Sequence, residues 1–140
     1  MNWFTWAILS AFFAAITAIC AKVGVEGIDS NLATAIRTSI ILFVGWALAF
    51  ATTDIGAMSS LPKRTWLFLI LSGLATGLSW ACYFRALQMG EASRVAPVDK
   101  LSVIFAILFA GIFLHERLTW HHWIGGTLIA GGAVMLAWKG

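Results

Sequence analysis

The sequence predicts an all-α integral membrane protein with five transmembrane helices. Hydrophobic residues make up 61% of the chain and charged residues only 11%, whereas a soluble domain is about half apolar and about a quarter charged. A membrane-spanning helix needs about 20 residues, so a chain of 140 residues has room for about five of them with short connections. We therefore expect one membrane domain over residues 1–140 and no soluble domain beside it.

The first two helices are predicted over about residues 3–21 and 32–51, on either side of a turn rich in glycine and helix-capping residues. The first contains no charged side chain and ends at Lys22, whereas the second contains Arg37 about two turns from its start. Burying a guanidinium in a bilayer costs at least about 2.5 kcal/mol, so Arg37 needs a carboxylate, a cavity or the headgroup layer. Two interpretations are open: a pairing or functional role inside the protein, or snorkelling of the long side chain to the interface.

The third helix is predicted over about residues 66–87. The polar connection before it, residues 52–65, is interpreted as a loop and a helix start. Gly73 and Gly77 form a small-xxx-small pair, which allows another helix backbone to approach closely. A second face carries large side chains at helical spacing, namely Trp80, Tyr83, Phe84 and Leu87. This stripe is interpreted either as the lining of a cavity or as a surface for packing and lipid contact.

The fourth helix, predicted over about residues 94–114, contains the features around which the chain is organised. Pro97 removes a backbone hydrogen bond, so the helix is expected to bend or begin again near it. Freed backbone groups at membrane depth persist only inside protein or beside a wet cavity, which favours an interior position for this helix. Asp99 and Lys100 are about 100° apart on a helix, so we expect each to have its own environment. An interfacial pair that snorkels outward is the alternative, and it suits Lys100 better than the short Asp99.

The fifth helix is predicted over about residues 120–138 and is interpreted as an association helix. Gly125 and Gly132 are seven residues apart and lie nearly on one face, where they allow two backbones to meet.

Other classes of function are not indicated. The net charge of +3 arises from scattered basic residues, so we expect no nucleic-acid partner. The three histidines and two cysteines lack metal-ligand spacing, and we expect no metal, no cofactor and no enzymatic activity. Cys20 and Cys82 lie in apolar runs and are predicted to be buried thiols.

Taken in order, these pieces resemble the EamA family of the drug/metabolite transporter superfamily. The matching features are Arg37 early in the second helix, the motifs at 83–87, 96–98 and 115–119, and the glycine-rich stretch at 125–132. The resemblance covers essentially the whole chain.

The resemblance implies a secondary transporter that moves a small organic metabolite, with export as the expected direction. Family members usually carry two five-helix repeats of opposite orientation, and this chain carries one. We therefore expect alternating access in a dimer embedded in lipid, as a multi-pass protein of the cell (inner) membrane. We expect an antiparallel homodimer, in which the second copy supplies the inverted repeat. Lys and Arg are distributed too evenly along the chain to fix one orientation in the membrane. A parallel dimer and pairing with another half-length protein are the alternatives.

The candidate substrate-binding residues come from three predicted helices. They are Arg37, Trp80, Tyr83, Asp99, Lys100 and Ser102. A different class of function, a membrane subunit that scaffolds or chaperones a partner through its small-residue faces without transporting anything, is the alternative.

Overall fold

The computed structural model describes residues 2–138, and all regular structure in that range is helical. Met1, Lys139 and Gly140 lie outside the described residues. The α-helices are α1 (Trp3–Gly24), α2 (Ser30–Thr52), α3 (Lys63–Met89), α4 (Ala92–Asp99), α5 (Ser102–Phe113) and α6 (Trp120–Ala137). A short 3₁₀ helix, Ile55–Ser60, lies between α2 and α3, where the sequence predicted a loop.

Within the described range, 4 segments are long and apolar enough to cross a membrane. They are α1, α2, α3 and the stretch Ala92–Phe113, which holds α4 and α5. The chain is thus an all-α, multi-pass membrane protein. The predicted fifth span is not among these segments: α6 covers 18 residues, and its first turn contains His121 and His122, which lower its hydropathy.

Aspartate side chains cap the start of α2 and the start of the 3₁₀ helix that follows it. The Asp29 carboxylate accepts hydrogen bonds from the backbone N–H groups of Asn31, at 2.8 Å, and Leu32, at 3.2 Å. These are two of the donors that the first turn of a helix leaves without a backbone partner. Asp54 begins the 3₁₀ helix in the same way, through the N–H of Gly56 at 2.9 Å.

By its internal contacts the chain divides into two compact units, of which one comprises residues 23–88. In this unit the C-terminal end of α3 is tied to the α1–α2 connection by one side chain. The Gln88 amide donates hydrogen bonds to the backbone carbonyls of Val25 and Ile28. Gly27 lies in this connection with φ of 78°, a left-handed conformation that a glycine adopts without steric cost.

The other unit comprises residues 1–22 and 89–140, and in it α6 packs against both α4 and α5. The helix predicted over 94–114 ends at Asp99 and begins again at Ser102, which confirms the expected break near Pro97. The N-cap of α4 is Glu91, and the helix continues past Pro97 as far as Asp99.

The interruption between α4 and α5 is a tightening of the helix. The N–H groups of Lys100 and Leu101 donate to the carbonyls of Pro97 and Val98, three residues back, at 3.1 and 3.0 Å. Two further bonds of the same type follow at Val103 and Ile104. Such a 3₁₀-type stretch inside a helix is typical of a hinge or of a strained segment.

The α5–α6 turn is built from a helix cap at each side. The N–H of Glu116 donates to the carbonyl of Ala110 at 3.2 Å, which closes α5, and His115 before it has φ of 54°. At the start of α6 the N–H of Thr119 donates to the His122 Nδ1 atom at 3.1 Å. Leu118 packs against Gly111 so closely that a Cβ there would lie 2.8 Å from its Cδ1 atom.

Large apolar side chains cover the outer surfaces of the helices. Phe43, Leu78 and Phe113 are each more than 70% exposed, as expected of side chains that face lipid. The prediction that Cys20 and Cys82 are buried is wrong, because both thiols are exposed on these apolar helices. In a membrane helix an apolar run marks contact with lipid as readily as a protein core, so the run does not indicate burial.

Candidate functional site

The guanidinium of Arg37 on α2 lies over aromatic rings of α3. Its Cζ atom is 4.5 Å from the ring centroid of Trp80 and 5.4 Å from that of Phe84. Trp80 and Phe84 are one helical turn apart, so their rings lie on the same face of α3. Both distances are within the range of cation–π interactions, which stabilise a cation most where water is scarce.

The Arg37 guanidinium contacts aromatic rings rather than a carboxylate. Among the described residues Glu91 pairs with Arg94 and Asp99 pairs with Lys100, and Arg37 takes part in neither ion pair. The Arg37 side chain is half-buried, and neither α2 nor α3 contains an acidic residue. The rings therefore hold the charge in place, but they offer no oxygen to its five N–H donors.

Phe84 belongs to this cluster although the predicted set of site residues omits it. It is 3% exposed, and its ring lies 6.5 Å from that of the neighbouring Tyr83. The signal for it was present in the sequence, since Phe84 follows Trp80 by four residues in the aromatic stripe. Tyr83, which is in the predicted set, is half-buried beside it on α3.

The predicted Asp99 and Lys100 lie at the interruption between α4 and α5. The expectation that each has its own environment is wrong, because the Lys100 Nζ atom lies 3.3 Å from the Asp99 Oδ2 atom. The 100° separation holds for a continuous helix, whereas α4 ends at Asp99 and the flexible lysine stem reaches back around the turn. Ser102 follows as the first residue of α5, where it is exposed.

The predicted site residues thus form two sets, each within its own unit. Arg37, Trp80 and Tyr83 belong to the unit of residues 23–88, and Arg37 contacts the ring of Trp80 there. Asp99, Lys100 and Ser102 belong to the other unit, where the first two form an ion pair.

The predicted association glycines do not contact another helix within the described chain. A Cβ atom added to any of them would meet nothing within 4 Å; they are Gly73, Gly77, Gly125 and Gly132. Their faces are open, whereas the adjacent Gly126 is buried and faces Ile107 of α5.

An apolar groove of about 200 Å³ lies between α5 and α6. Its wall is formed by aliphatic side chains of α5 together with Trp123, Gly126 and Thr127 of α6. Two polar side chains of α6 also line it: the His122 Nδ1 atom accepts from the Thr119 N–H at 3.1 Å, and the Thr127 hydroxyl donates to the Trp123 carbonyl at 2.8 Å. The groove therefore offers apolar contact and little hydrogen bonding.

Comparison with known proteins identifies the family. The model of the EamA-like transporter family matches residues 1–138. A protein from a Sinorhizobium species, described as an uncharacterized transporter in the cobO 3'region, is 54% identical over 136 residues, which is 97% of this chain and 96% of that protein.

More distant relatives carry more specific descriptions. A probable terminal-alkyne amino-acid exporter from Streptantibioticus cattleyicolor is 30% identical over 118 residues, 81% of this chain and 38% of that protein. A probable 4-amino-4-deoxy-L-arabinose-phosphoundecaprenol flippase subunit ArnE from Pseudomonas fluorescens is 32% identical over 76 residues, 54% of this chain and 64% of that protein. No solved structure matches the chain significantly. The match along residues 1–138 and the closely similar transporter of equal span assign the chain to the EamA-like transporter family.

Proposed function

We propose that this chain is a secondary transporter that moves a small organic metabolite across the cell (inner) membrane by alternating access, and that export is its direction. The observation that carries this proposal is the Asp99–Lys100 ion pair at the interruption of the span Ala92–Phe113, directly before an apolar stretch of α5. Charged side chains inside a span are costly, and broken helices in transporters lie where substrate and coupling ions bind. A membrane protein that serves only as a scaffold has no need of either feature.

The proposed substrate-binding residues are charged, polar and aromatic side chains of α2, α3 and the α4–α5 segment. They are Arg37, Trp80, Tyr83, Asp99, Lys100 and Ser102, to which the contact with Arg37 adds Phe84. The description of the Streptantibioticus relative as an exporter supports the outward direction. We propose no enzymatic role, no cofactor and no nucleic-acid partner.

The proposed working unit is a dimer of five-span chains, in which α6 is the fifth span. Alternating access in transporters of this kind uses two repeats of inverted orientation, and a chain with one repeat obtains the second from another chain. The 54% identical relative supports a short transporter, because this chain spans 96% of its length. The open glycine faces of α3 and α6 supply surfaces on which helices of a second chain can pack closely.

The second candidate function is a non-transporting subunit of a larger membrane assembly. It is favoured by the ArnE relative, whose description as a flippase subunit refers to a partner protein. In that case the open glycine faces would contact a different chain, and the purified protein alone would move no solute.

Uptake by the purified protein in liposomes separates the two functions. The solutes tested would be amino acids, sugars, nucleotides and organic cations, each with and without a proton gradient. We expect saturable uptake of one class that is lost in Asp99→Asn. Glu91→Gln is the matched control, because it breaks the other ion pair, the Glu91–Arg94 pair of 3.4 Å at the start of α4. Absence of uptake for every class, in protein that is folded and inserted, would favour the subunit function.

A further inference from the structure

We propose that Arg37, held by Trp80 and Phe84, binds an oxyanion of the transported solute, either a carboxylate or a phosphate ester. The inference rests on the proposed transport function and names the chemical class of its substrate. It is carried by the contacts of one side chain within the unit of residues 23–88.

The first step is the way in which the guanidinium is held. Trp80 and Phe84 contact the Arg37 group through their rings, at 4.5 and 5.4 Å from its Cζ atom. Ring contacts use the charge of the guanidinium but none of its hydrogen-bond donors. Arg37 forms no hydrogen bond and no ion pair with any residue that the structure describes. The Tyr83 phenol also interacts electrostatically with this charge, and the guanidinium donors remain available to a ligand.

The second step is the cost of leaving those donors unused. Arg37 lies in an apolar span that crosses the membrane by length and composition, and the Phe84 side chain beside it is 3% exposed. A charge in such a place is stable only when it is hydrogen-bonded and paired. Because α2 and α3 contain no acidic residue, the missing counter-charge has to come from outside this helix pair.

The third step is the chemistry that fits these donors. A guanidinium binds carboxylates and phosphates through two parallel N–H···O bonds, which a lysine ammonium does not reproduce. The half-buried indole of Trp80 lies next to the charge and offers a flat apolar surface. The site therefore suits a solute in which an oxyanion is attached to a flat or apolar group. The phosphate of a lipid headgroup has the same chemistry, so the test has to separate the two sources.

A matched control lies on α3. The Arg64 guanidinium lies 5.8 Å from the ring centroid of Phe68, but the Arg64 side chain is exposed near the start of the helix. Arg64 therefore has a similar ring contact without the apolar setting. We expect its substitution to leave anion binding unchanged.

The test measures binding in dodecyl maltoside, an uncharged detergent without phosphate, by isothermal titration calorimetry. The probes are benzoate, phenyl phosphate, uncharged benzyl alcohol and the short-chain lipid dihexanoyl phosphatidylglycerol. We expect benzoate or phenyl phosphate to bind the wild-type protein at least about tenfold more tightly than benzyl alcohol, the factor that one charge-assisted hydrogen bond supplies. Arg37→Gln should abolish the binding, Arg37→Lys should weaken it about tenfold because the two-pronged geometry is lost, and Arg64→Lys should leave it unchanged.

Three results would overturn the inference. They are equal binding of benzyl alcohol, unchanged anion binding in Arg37→Lys, and binding of phosphatidylglycerol alone, which would make a lipid headgroup the ligand. If Arg37→Gln aggregates in gel filtration, Arg37→Lys and the comparison of probes on wild-type protein still decide.

The assay also separates this inference from the transport proposal, because equilibrium binding requires no membrane. Anion binding without uptake in liposomes would count against transport alone. Uptake of a solute that carries no oxyanion would count against the anion site alone.

Discussion

Asp99 and Lys100 are neighbours in sequence and form an ion pair of 3.3 Å at the point where the fourth span is interrupted. The Asp99 side chain is 35% exposed and the Lys100 side chain 56%, so the pair is neither deeply buried nor fully in solvent. The pair neutralises both of its charges within the fourth span, and it lies next to a segment with 3₁₀-type hydrogen bonds, where a helix can act as a hinge.

The first prediction concerns this pair. Asp99→Asn and Lys100→Ala should each reduce transport to below about a tenth of wild type while leaving membrane insertion intact, because each lowers the insertion cost of the span but leaves the other charge unpaired. Transport in liposomes and the amount of protein in the membrane fraction are the two measurements.

A double variant separates a mechanistic role of the pair from a structural one. Asp99→Asn combined with Lys100→Gln leaves no unpaired charge, so a purely structural pair predicts that transport returns. We expect the double variant to stay inactive. Wild-type transport in Asp99→Asn alone would remove Asp99 from the mechanism.

The second prediction concerns the turn between α5 and α6. His115 has φ of 54°, a left-handed conformation in which a Cβ atom costs about 1–2 kcal/mol. His115→Gly should raise the free energy of unfolding by up to about 1 kcal/mol, since the strain relieved exceeds the added chain entropy. The measurement is the midpoint of unfolding in detergent micelles.

His115→Ala is the control for that prediction, because it removes the imidazole and keeps the Cβ atom. It should leave stability nearly unchanged. A clear loss of stability in His115→Ala would mean that the exposed imidazole makes a contribution that the turn geometry does not explain.

The third prediction concerns the link between α3 and the α1–α2 connection. Gln88→Met keeps the length of the side chain but removes its hydrogen bonds to the carbonyls of Val25 and Ile28. With about 0.5–1.5 kcal/mol for the part-buried bond to Val25 and a few tenths of a kcal/mol for the exposed bond to Ile28, we expect a loss of about 1–2 kcal/mol in the free energy of unfolding.

Arg85→Met is the matched control. The Arg85 Nη1 atom donates to the Gln88 Oε1 atom at 3.2 Å, and this bond is exposed. Its removal should cost only a few tenths of a kcal/mol, as for other exposed polar contacts. Equal losses in the two variants would show that the carbonyl contacts of Gln88 add no stability.

The sequence was most informative where a local rule decides the structure. The capping role of the turn before α2 follows from the side chain of Asp29 and the polar residues around it. The class of the fold follows from composition alone, because apolar runs of this length are stable as helices that span a lipid bilayer.

Other features were not predictable because they depend on how the backbone departs from an ideal helix or on which helices meet. The Asp99–Lys100 pair requires α4 to end at Asp99, whereas the angular argument assumed a continuous helix. The contact between Arg37 and Trp80 requires α2 and α3 to meet in one register, and helical periodicity on each helix does not fix that register. The exposure of Cys20 and Cys82 depends on which face of each helix points outward.

The last prediction concerns the arrangement of chains in the membrane. If α6 is the fifth span, the two termini lie on opposite sides, and cysteines at position 2 and at position 139, which lies outside the described residues, should label from opposite faces in any one molecule. Labelling of both from the same face would contradict five spans.

For an antiparallel homodimer we further expect each position to label in about half of the molecules from either face of intact cells, because the even spread of Lys and Arg gives the chain no strong orientation. An impermeant maleimide, applied before and after permeabilisation, measures both fractions. Adding two lysines to the Thr52–Lys63 connection is the control, since it should bias insertion and shift the fractions from one half toward a single orientation. Labelling from one face only in the unmodified protein would exclude the antiparallel homodimer and leave an oppositely oriented partner chain as the source of the second repeat.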